Sequence, residues 1–420
     1  MNKKFGAVRK SLILAVALGF AADAQMAMAQ GRAADSEQQQ QQSGGTVDQQ
    51  TGRILTEAFE KFGNDDFAGA RESLGRLRLD RLSPYERSRV EQIYTSLDVQ
   101  AEDYAGARQH MEAAIASGGL NEVEASQARY QLAQLWIQEE NWTEGAKALE
   151  AWLSTATNPS SSAYYLLAIA YYQLEQMDNA LDPARKAVEL AGETPQEPWL
   201  QLLSALLLQR EDYPAALDVI KRTLNLYPGR KQYWTQLSSV YSQLEDFQNA
   251  LVVLEFAHHA GLLTDSAELR RLADMYMLRE MPIRAANLLQ ESMDKGTIEA
   301  DQRNYEALAN SLVAAREFER SLPVLEKAGD LSNDGVLYSR MGEVSLQLED
   351  WDKAVDAFKK ALDKGGVRDV PNTQMLMGIA YYEMGDYSNA TTWLNRAASD
   401  ESSRNTSRGY LQLIESKRQN

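Results

Sequence analysis

Few side chains in this sequence have the type and spacing that acid–base, metal or nucleophile chemistry needs. The 420 residues include three histidines and no cysteine. Without cysteine there is no disulfide, thiolate nucleophile, zinc–thiolate site or lipid-modified cysteine. His258 and His259 are neighbours in a predicted helix, so their side chains diverge by about 100° and cannot easily share one ion. His110 lies far from them in the chain. We therefore predict no metal site and no cofactor.

The carboxylates are also poorly arranged for catalysis. Pairs such as Asp65-Asp66 and Glu139-Glu140 fall in predicted turns between helices, where acids cap helix N-termini more often than they act as general acid and base. The sequence has no glycine-rich phosphate loop, GxSxG elbow, HExxH pair or EF-hand calcium loop. These observations favour a protein that is not an enzyme.

The overall charge excludes another class of function. Asp and Glu number 60 against 43 Lys and Arg, which gives a formal net charge of -17. Binding to a phosphate backbone needs a basic face that releases counterions, so we expect no nucleic-acid partner. Apolar residues make up 44% and charged residues 25%, as in ordinary folded proteins.

Residues 1–29 have the pattern of a secretory signal peptide. A basic start precedes an apolar run from Ser11 to Ala22, and Ala27 and Ala29 supply the small residues that signal peptidase reads. The run is shorter than the about 20 residues that span a bilayer. We therefore expect a periplasmic protein that begins at or near Gln30 and has no stable membrane insertion. A retained N-terminal anchor is the alternative.

Residues 30–50 form a predicted linker. They include an unbroken run from Gln38 to Gln42 and almost no large apolar side chain. Such a segment cannot bury enough surface to offset the entropy of ordering it. We expect a disordered spacer, although a glutamine tract can also bind partners.

Residues 51–400 repeat one short pattern. An acidic or amide residue is followed by an aromatic residue and, three positions later, by a small residue that we call the anchor, as in Asp350-Trp351…Ala354. Recurrence at a fixed period of about 20 to 50 residues is typical of repeat arrays. Ten anchors follow one another at nearly constant spacing, at positions 70, 107, 145, 180, 216, 250, 285, 321, 354 and 390.

Each repeat has the pattern of two helices. Before the anchor, large residues recur at helical spacing around a small one, as from Trp234 to Tyr241, and after it the apolar face continues, as in Ala354, Phe358 and Ala361. Residues 401–420 form a predicted closing helix and tail. We therefore predict an all-α fold, a right-handed α-solenoid of about ten helix–turn–helix repeats with a C-terminal closing helix.

This pattern resembles the tetratricopeptide repeat (TPR) family, whose unit is about 34 residues long. The likeness covers roughly residues 51–400 and is strongest over 164–191, 233–261, 338–365 and 374–398. The first two repeats depart from the family pattern, because Glu91 and Asp98 stand where it has large apolar residues.

A narrower resemblance concerns location and partner. Segments such as Gly261–Thr264, Asp334–Tyr338 and Lys364–Val367 are similar to a periplasmic TPR family whose genes lie beside TonB energy-transduction components in proteobacteria. The resemblance implies partnership with TonB-type outer-membrane nutrient uptake, and it brings no defined site residues.

One set of polar residues lies away from the predicted core. Some first-helix positions of a TPR superhelix face its inner groove, and a glutamine stands seven residues before the anchor in five repeats, with phenols nearby. A glutamine side chain can pair with both the N–H and the C=O of an extended peptide. The alternative is that glutamine is simply a good helix former at a solvent-exposed position. The predicted groove residues are Gln138, Gln173, Gln209, Gln243, Gln347, Tyr165, Tyr172 and Tyr382.

Together these patterns favour a monomeric, non-catalytic periplasmic scaffold. Its predicted partner is a protein or an extended peptide segment of a TonB-type complex. The alternative is a TPR assembly factor for another envelope machine, in peptidoglycan, exopolysaccharide or outer-membrane protein biogenesis. An enzyme with an unrecognised site is a third hypothesis.

Overall fold

The computed structural model describes residues 46–419, so the predicted signal peptide and most of the predicted linker lie outside the described residues. The chain forms two compact units, here unit 1 (up to Thr223) and unit 2 (from Leu224). Unit 1 contains α1 (Gln49–Gly63), α2 (Phe67–Leu74), α3 (Pro84–Gln100), α4 (Tyr104–Ala116), α5 (Glu122–Gln138), α6 (Trp142–Leu153), α7 (Ser161–Gln173), α8 (Met177–Leu190) and α9 (Glu197–Gln209).

The division falls inside α10 (Tyr213–Leu226). Unit 2 contains α11 (Lys231–Gln243), α12 (Phe247–His259), α13 (Ser266–Leu278), α14 (Pro282–Asp294), α15 (Gln302–Ala314), α16 (Phe318–Leu331), α17 (Val336–Gln347), α18 (Trp351–Lys364), α19 (Val370–Glu383), α20 (Tyr387–Ala397) and α21 (Glu401–Gln419).

The predicted all-α repeat fold is confirmed. Residues 46–419 contain these 21 α-helices, one 3-10 turn (Leu79–Arg81) and no strand. The helices alternate as the first and second helix of ten repeats, and every first helix ends seven residues before its anchor. Within each unit a helix packs mainly on the helices next to it in the chain, which is how a repeat solenoid builds its core.

The N-terminal end of the repeat array differs slightly from the predicted boundary, and the C-terminal end does not. Helix α1 begins at Gln49, two residues inside the predicted linker, because the Asp48 carboxylate caps it and accepts a hydrogen bond from the Gln50 N–H at 2.9 Å. The closing helix α21 runs from Glu401 to Gln419, and its buried Ile414 packs on the apolar cluster that contains Tyr381 and Leu394.

The turn inside each repeat has one recurring backbone geometry. The residue five positions before the anchor has a positive φ in all ten repeats, such as 57° at Glu140, and it is a glycine only at Gly385. The following residue donates its N–H back to the helix, as Asn141 does to the Trp136 carbonyl at 2.9 Å, which closes the helix C-terminus. Asp66, at that same position in the first repeat, then caps the second helix through the Gly69 N–H at 2.9 Å. The predicted capping role is confirmed for Asp66, whereas Asn141 rather than Glu139 or Glu140 caps the second helix of the third repeat.

Close approach of the two helices explains why the anchors are small. Ala107, Ala180 and Ala250 are fully buried. At the anchor Gly145, a Cβ atom would lie 2.5 Å from the Ile137 Cδ1 atom of the first helix. Only one of the two helices can therefore place a large side chain at the crossing.

The two acids that depart from the TPR pattern lie inside unit 1 and are paired there. Glu91 and Asp98 of α3 are 3% and 4% exposed. The His110 ring on α4 has its Nδ1 atom 2.6 Å from the Glu91 Oε2 atom and its Nε2 atom 3.6 Å from the Asp98 Oδ2 atom. Arg71 on α2 pairs with Asp98, and the Arg87 Nε atom is 3.8 Å from the Glu91 Oε1 atom.

Candidate binding surface on the first helices

The five predicted groove glutamines share one structural position. Each is the last residue of a first helix, where α5, α7, α9, α11 and α17 end. Gln138, Gln173 and Gln209 lie in unit 1, and Gln243 and Gln347 lie in unit 2. Gln138 is half-buried and the other four are exposed.

A sixth glutamine occupies the same position and was missed. Gln100 ends α3 and is exposed. It stands seven residues before the anchor Ala107, so the spacing that identified the other five also finds it.

The predicted tyrosines are less open than the glutamines. Tyr165 on α7 is half-buried with its ring 5.5 Å from the ring of buried Trp199, and burial raises its pKa. Tyr172 is also half-buried, and burial raises its pKa in the same direction. Tyr382 lies against the closing helix, with its ring 5.2 Å from the Tyr410 ring and 5.0 Å from the Lys417 Nζ atom.

The glutamines mark one end of a longer face. Residues 18, 14, 11 and 7 positions before an anchor are spaced at i, i+4, i+7 and i+11, so they lie on the same face of the first helix. We call this face the first-helix stripe. On α5 it consists of glutamine alone: Gln127, Gln131, Gln134 and Gln138.

The α5 stripe is polar, accessible and unpaired. Gln127 is exposed and the other three glutamines are half-buried, while Ala128, Ala133 and Leu135 of the same helix are fully buried. Within residues 46–419 the four side-chain amides form no hydrogen bond. Each amide therefore keeps a donor group and an acceptor oxygen for another molecule.

In unit 2 the stripe also carries arginines. Arg271 on α13 and Arg340 on α17 both occupy its second position, 14 positions before their anchors. Each donates a hydrogen bond to the residue that stands 11 positions before the anchor of the preceding repeat. Arg271 donates to the Ser239 Oγ atom at 2.7 Å, and Arg340 donates to the Asn310 Oδ1 atom. These contacts link the stripe from one repeat to the next.

Residues 46–419 hold no cluster of three His, Asp or Glu side chains placed to bind a metal ion. No helix in this range is both long and apolar enough to cross a bilayer. The ring centroids of His258 and His259 lie 5.8 Å apart. Burial lowers the pKa of His258, and the neighbouring His259 is the second cause of this shift.

Family models match three parts of the chain. Two models described as tetratricopeptide repeats match residues 96–161 and 340–405 and residues 161–194. A third, described as ChAPs (Chs5p-Arf1p-binding proteins), matches residues 184–316. No curated protein matches the chain.

Several solved TPR structures are similar to this chain at low identity. A tetratricopeptide repeat protein from Parabacteroides merdae is 16% identical, with 70% of this chain and 99% of that chain covered and a TM-score of 0.35. YrrB, described as a TPR protein with an unusual peptide-binding site, is 19% identical over 43% of this chain and 88% of its own, with a TM-score of 0.36.

The C-terminal part of a TPR repeat-containing protein from Cytophaga hutchinsonii is 15% identical over 58% of this chain and 98% of its own, with a TM-score of 0.40. The TPR models match the helix pairs around the anchors at 107, 145 and 180 in unit 1 and at 354 and 390 in unit 2. Tetratricopeptide repeats are therefore present in both units of this chain.

Proposed function

We propose that this protein is a non-catalytic scaffold that binds an extended segment of a partner protein along the first-helix stripe. The α5 stripe is the observation that carries the proposal. Its four unpaired amides are spaced along one helix face, and each can donate to a backbone C=O and accept from a backbone N–H. Ala128, Ala133 and Leu135 of α5 are buried, whereas the stripe is a polar surface of this helix that stays accessible to a ligand.

A family match supports the same class of function. Residues 184–316 match a family named for binding two proteins, Chs5p and Arf1p. That name concerns those two proteins, and for this chain it supports protein binding in general.

A change of the stripe tests the proposal. We expect the variant with Gln127, Gln131, Gln134 and Gln138 all changed to Ala to lose its partner. A net hydrogen bond is worth about 0.5–1.5 kcal/mol, so losing four weakens a micromolar complex beyond detection. Alanine is the better helix former, so folding should be unaffected.

The control variant changes exposed glutamines on other helices, Gln109, Gln248 and Gln412, to Ala. The measurement is a pull-down from periplasmic extract, quantified by mass spectrometry, at matched melting temperature. If both variants lose the same proteins, or if both retain all of them, the result would contradict a role for the stripe.

We further propose that the protein acts in the periplasm with a TonB-type energy-transduction and nutrient-uptake complex. The signal-peptide pattern of residues 1–29 and the resemblance of segments such as Asp334–Tyr338 to the TonB-associated family support this proposal. A TPR assembly factor for peptidoglycan, exopolysaccharide or outer-membrane protein biogenesis remains the alternative.

Cell fractionation and N-terminal mass spectrometry test the location. We expect a monomer in the periplasmic fraction whose first residue is Gln30 or a close neighbour. Recovery of native protein with residues 3–29 intact would contradict secretion. Proteins captured in a stripe-dependent way would then separate TonB components from the other envelope machines.

A further inference from the structure

A cavity of about 390 Å³ lies between the first helices of two consecutive repeats of unit 2, α13 and α15. Its charged lining consists of Arg270, Arg271 and Asp274 from α13 and Arg303 from α15. Three guanidinium groups against one carboxylate make the lining positive, although the chain has a net charge of -17. The local charge therefore favours an anion.

The cavity exists because a repeated contact is interrupted. In the repeats before and after it, Arg271 and Arg340 occupy the second position of the stripe and reach back to the preceding repeat. In the repeat between them that position is Ala307, which lines the cavity. A methyl group in place of a guanidinium leaves open space, and it leaves Asp274, at the acceptor position, without an arginine.

Several polar groups of the lining have no partner. Within the described part of the chain, Arg270, Arg303 and Asp274 form no hydrogen bond or ion pair. Asn304 is 2% exposed, and its Nδ2 atom donates to the Glu299 carbonyl at 2.9 Å while its Oδ1 atom is buried and unpaired. A buried amide oxygen without a donor costs free energy, so a ligand with an N–H group is favoured beside the anion.

We propose that this cavity binds an aspartate or glutamate side chain of the partner segment. The inference rests on the proposed function, because the stripe residues Arg271, Arg303 and Ala307 of unit 2 line the cavity. Arg270 and Arg303 donate to the carboxylate from two neighbouring helices, and arginine matches a carboxylate with two parallel hydrogen bonds. A backbone N–H of the same segment is the kind of donor that the Asn304 Oδ1 atom lacks.

Labelled peptides test the proposal on the full chain. The probe is a fluorescein-labelled peptide of eight residues in which Glu alternates with Ala, and a second peptide has Gln in place of Glu. We expect the Glu peptide to bind wild-type protein at least tenfold more tightly than the Gln peptide in fluorescence anisotropy. We expect the Arg270→Gln/Arg303→Gln variant to lose at least tenfold in affinity for the Glu peptide.

A matched variant, Arg279→Gln/Arg368→Gln, removes the same charge from exposed arginines outside the cavity and should bind within twofold of wild type. Circular dichroism checks that both variants are folded. Equal binding of the Glu peptide to wild type and to the cavity variant, or equal binding of the Glu and Gln peptides, would overturn the proposal.

A second variant, Ala307→Arg, fills the cavity and restores the interrupted contact, with Asp274 as acceptor. We expect it to remain folded and to lose Glu-peptide binding at least tenfold, and unchanged binding would contradict the cavity site. The two proposals fail separately. Changing the α5 glutamines could remove a partner while the Arg270→Gln/Arg303→Gln variant binds the Glu peptide as wild type does. In that case the scaffold proposal stands and the carboxylate site fails.

Discussion

Equivalent buried positions hold different chemistry in two repeats, one from each unit. In unit 1, Glu91 and Asp98 stand 16 and 9 positions before the anchor Ala107. In unit 2, Leu269 and Tyr276 stand at the same distances before the anchor Ala285. All four residues are buried, so the same helix-pair geometry accommodates an ion-pair cluster in one place and an apolar layer in the other.

The two buried layers are held together by different contacts. Tyr276 packs in the apolar cluster of unit 2, and its O–H donates to the Glu255 Oε1 atom at 2.8 Å. The Asp98 side chain has no apolar ring to pack, and its burial is instead offset by pairing with Arg71 and His110. In these two repeats both positions are buried, and the stability of each layer depends on partners from the neighbouring helices.

The largest effect should come from removing a partner of the buried acids. We expect Arg71→Ala to lower the free energy of unfolding of unit 1 by about 2–3 kcal/mol, because Asp98 stays buried with His110 alone. Urea denaturation and hydrogen exchange of α3 and α4 measure the loss. Arg53→Ala on α1, where the arginine is exposed, is the control. An equal loss in both variants would mean that the cluster is not what distinguishes unit 1.

A smaller effect is expected in unit 2. Tyr276→Phe keeps the packed ring and removes the hydrogen bond to Glu255, so we expect a loss of about 1 kcal/mol. Burial, together with the Glu255 acceptor, raises the pKa of Tyr276 to about 12. The folded chain therefore holds this proton between about pH 10 and 12, where unfolded tyrosine releases it.

Wild-type unit 2 should accordingly lose stability as the pH rises through this range, and Tyr276→Phe should lose less. Denaturation midpoints measured across it check the sign. A variant that loses as much as wild type would show that Tyr276 carries none of the alkaline instability.

The smallest effect concerns a half-buried acid of unit 1. Hydrogen bonds from Lys61, Arg76 and Ser73 lower the pKa of Glu57 on α1 to about 2. This contribution to stability is present above the pKa of unfolded glutamate, about 4.3, and is lost as the pH falls towards 2. Glu57→Gln should therefore be slightly less stable than wild type at pH 7 and equal to it near pH 2. Glu60→Gln, an exposed change on the same helix, should show no such pH dependence.

Much of the fold could be predicted from single repeats, because its causes are local. The small anchors, the capping acid Asp66 and the apolar spacing around Phe358 each act within one helix pair. The pairing of Asp98 with Arg71 was not predictable in this way, since Arg71 lies on the second helix of the preceding repeat.

The candidate site shows the same limit. Gln138 and its equivalents could be found by counting from the anchors, but the rest of the α5 stripe became evident only once the whole helix face was defined. The cavity beside Ala307 depends on arginines in the repeats before and after it, and the covering of Tyr382 depends on where the closing helix packs. Such features arise from side chains of neighbouring repeats that one repeat does not specify.

Site-specific photo-cross-linking tests the central claim, that the first-helix stripe is the binding surface, most directly. A benzoylphenylalanine replaces either Gln127 on the α5 stripe or Gln109, an exposed residue of the second helix α4. After irradiation of intact cells, we predict that a partner protein is cross-linked from position 127 and not from position 109. Cross-links from position 109 alone would contradict this account.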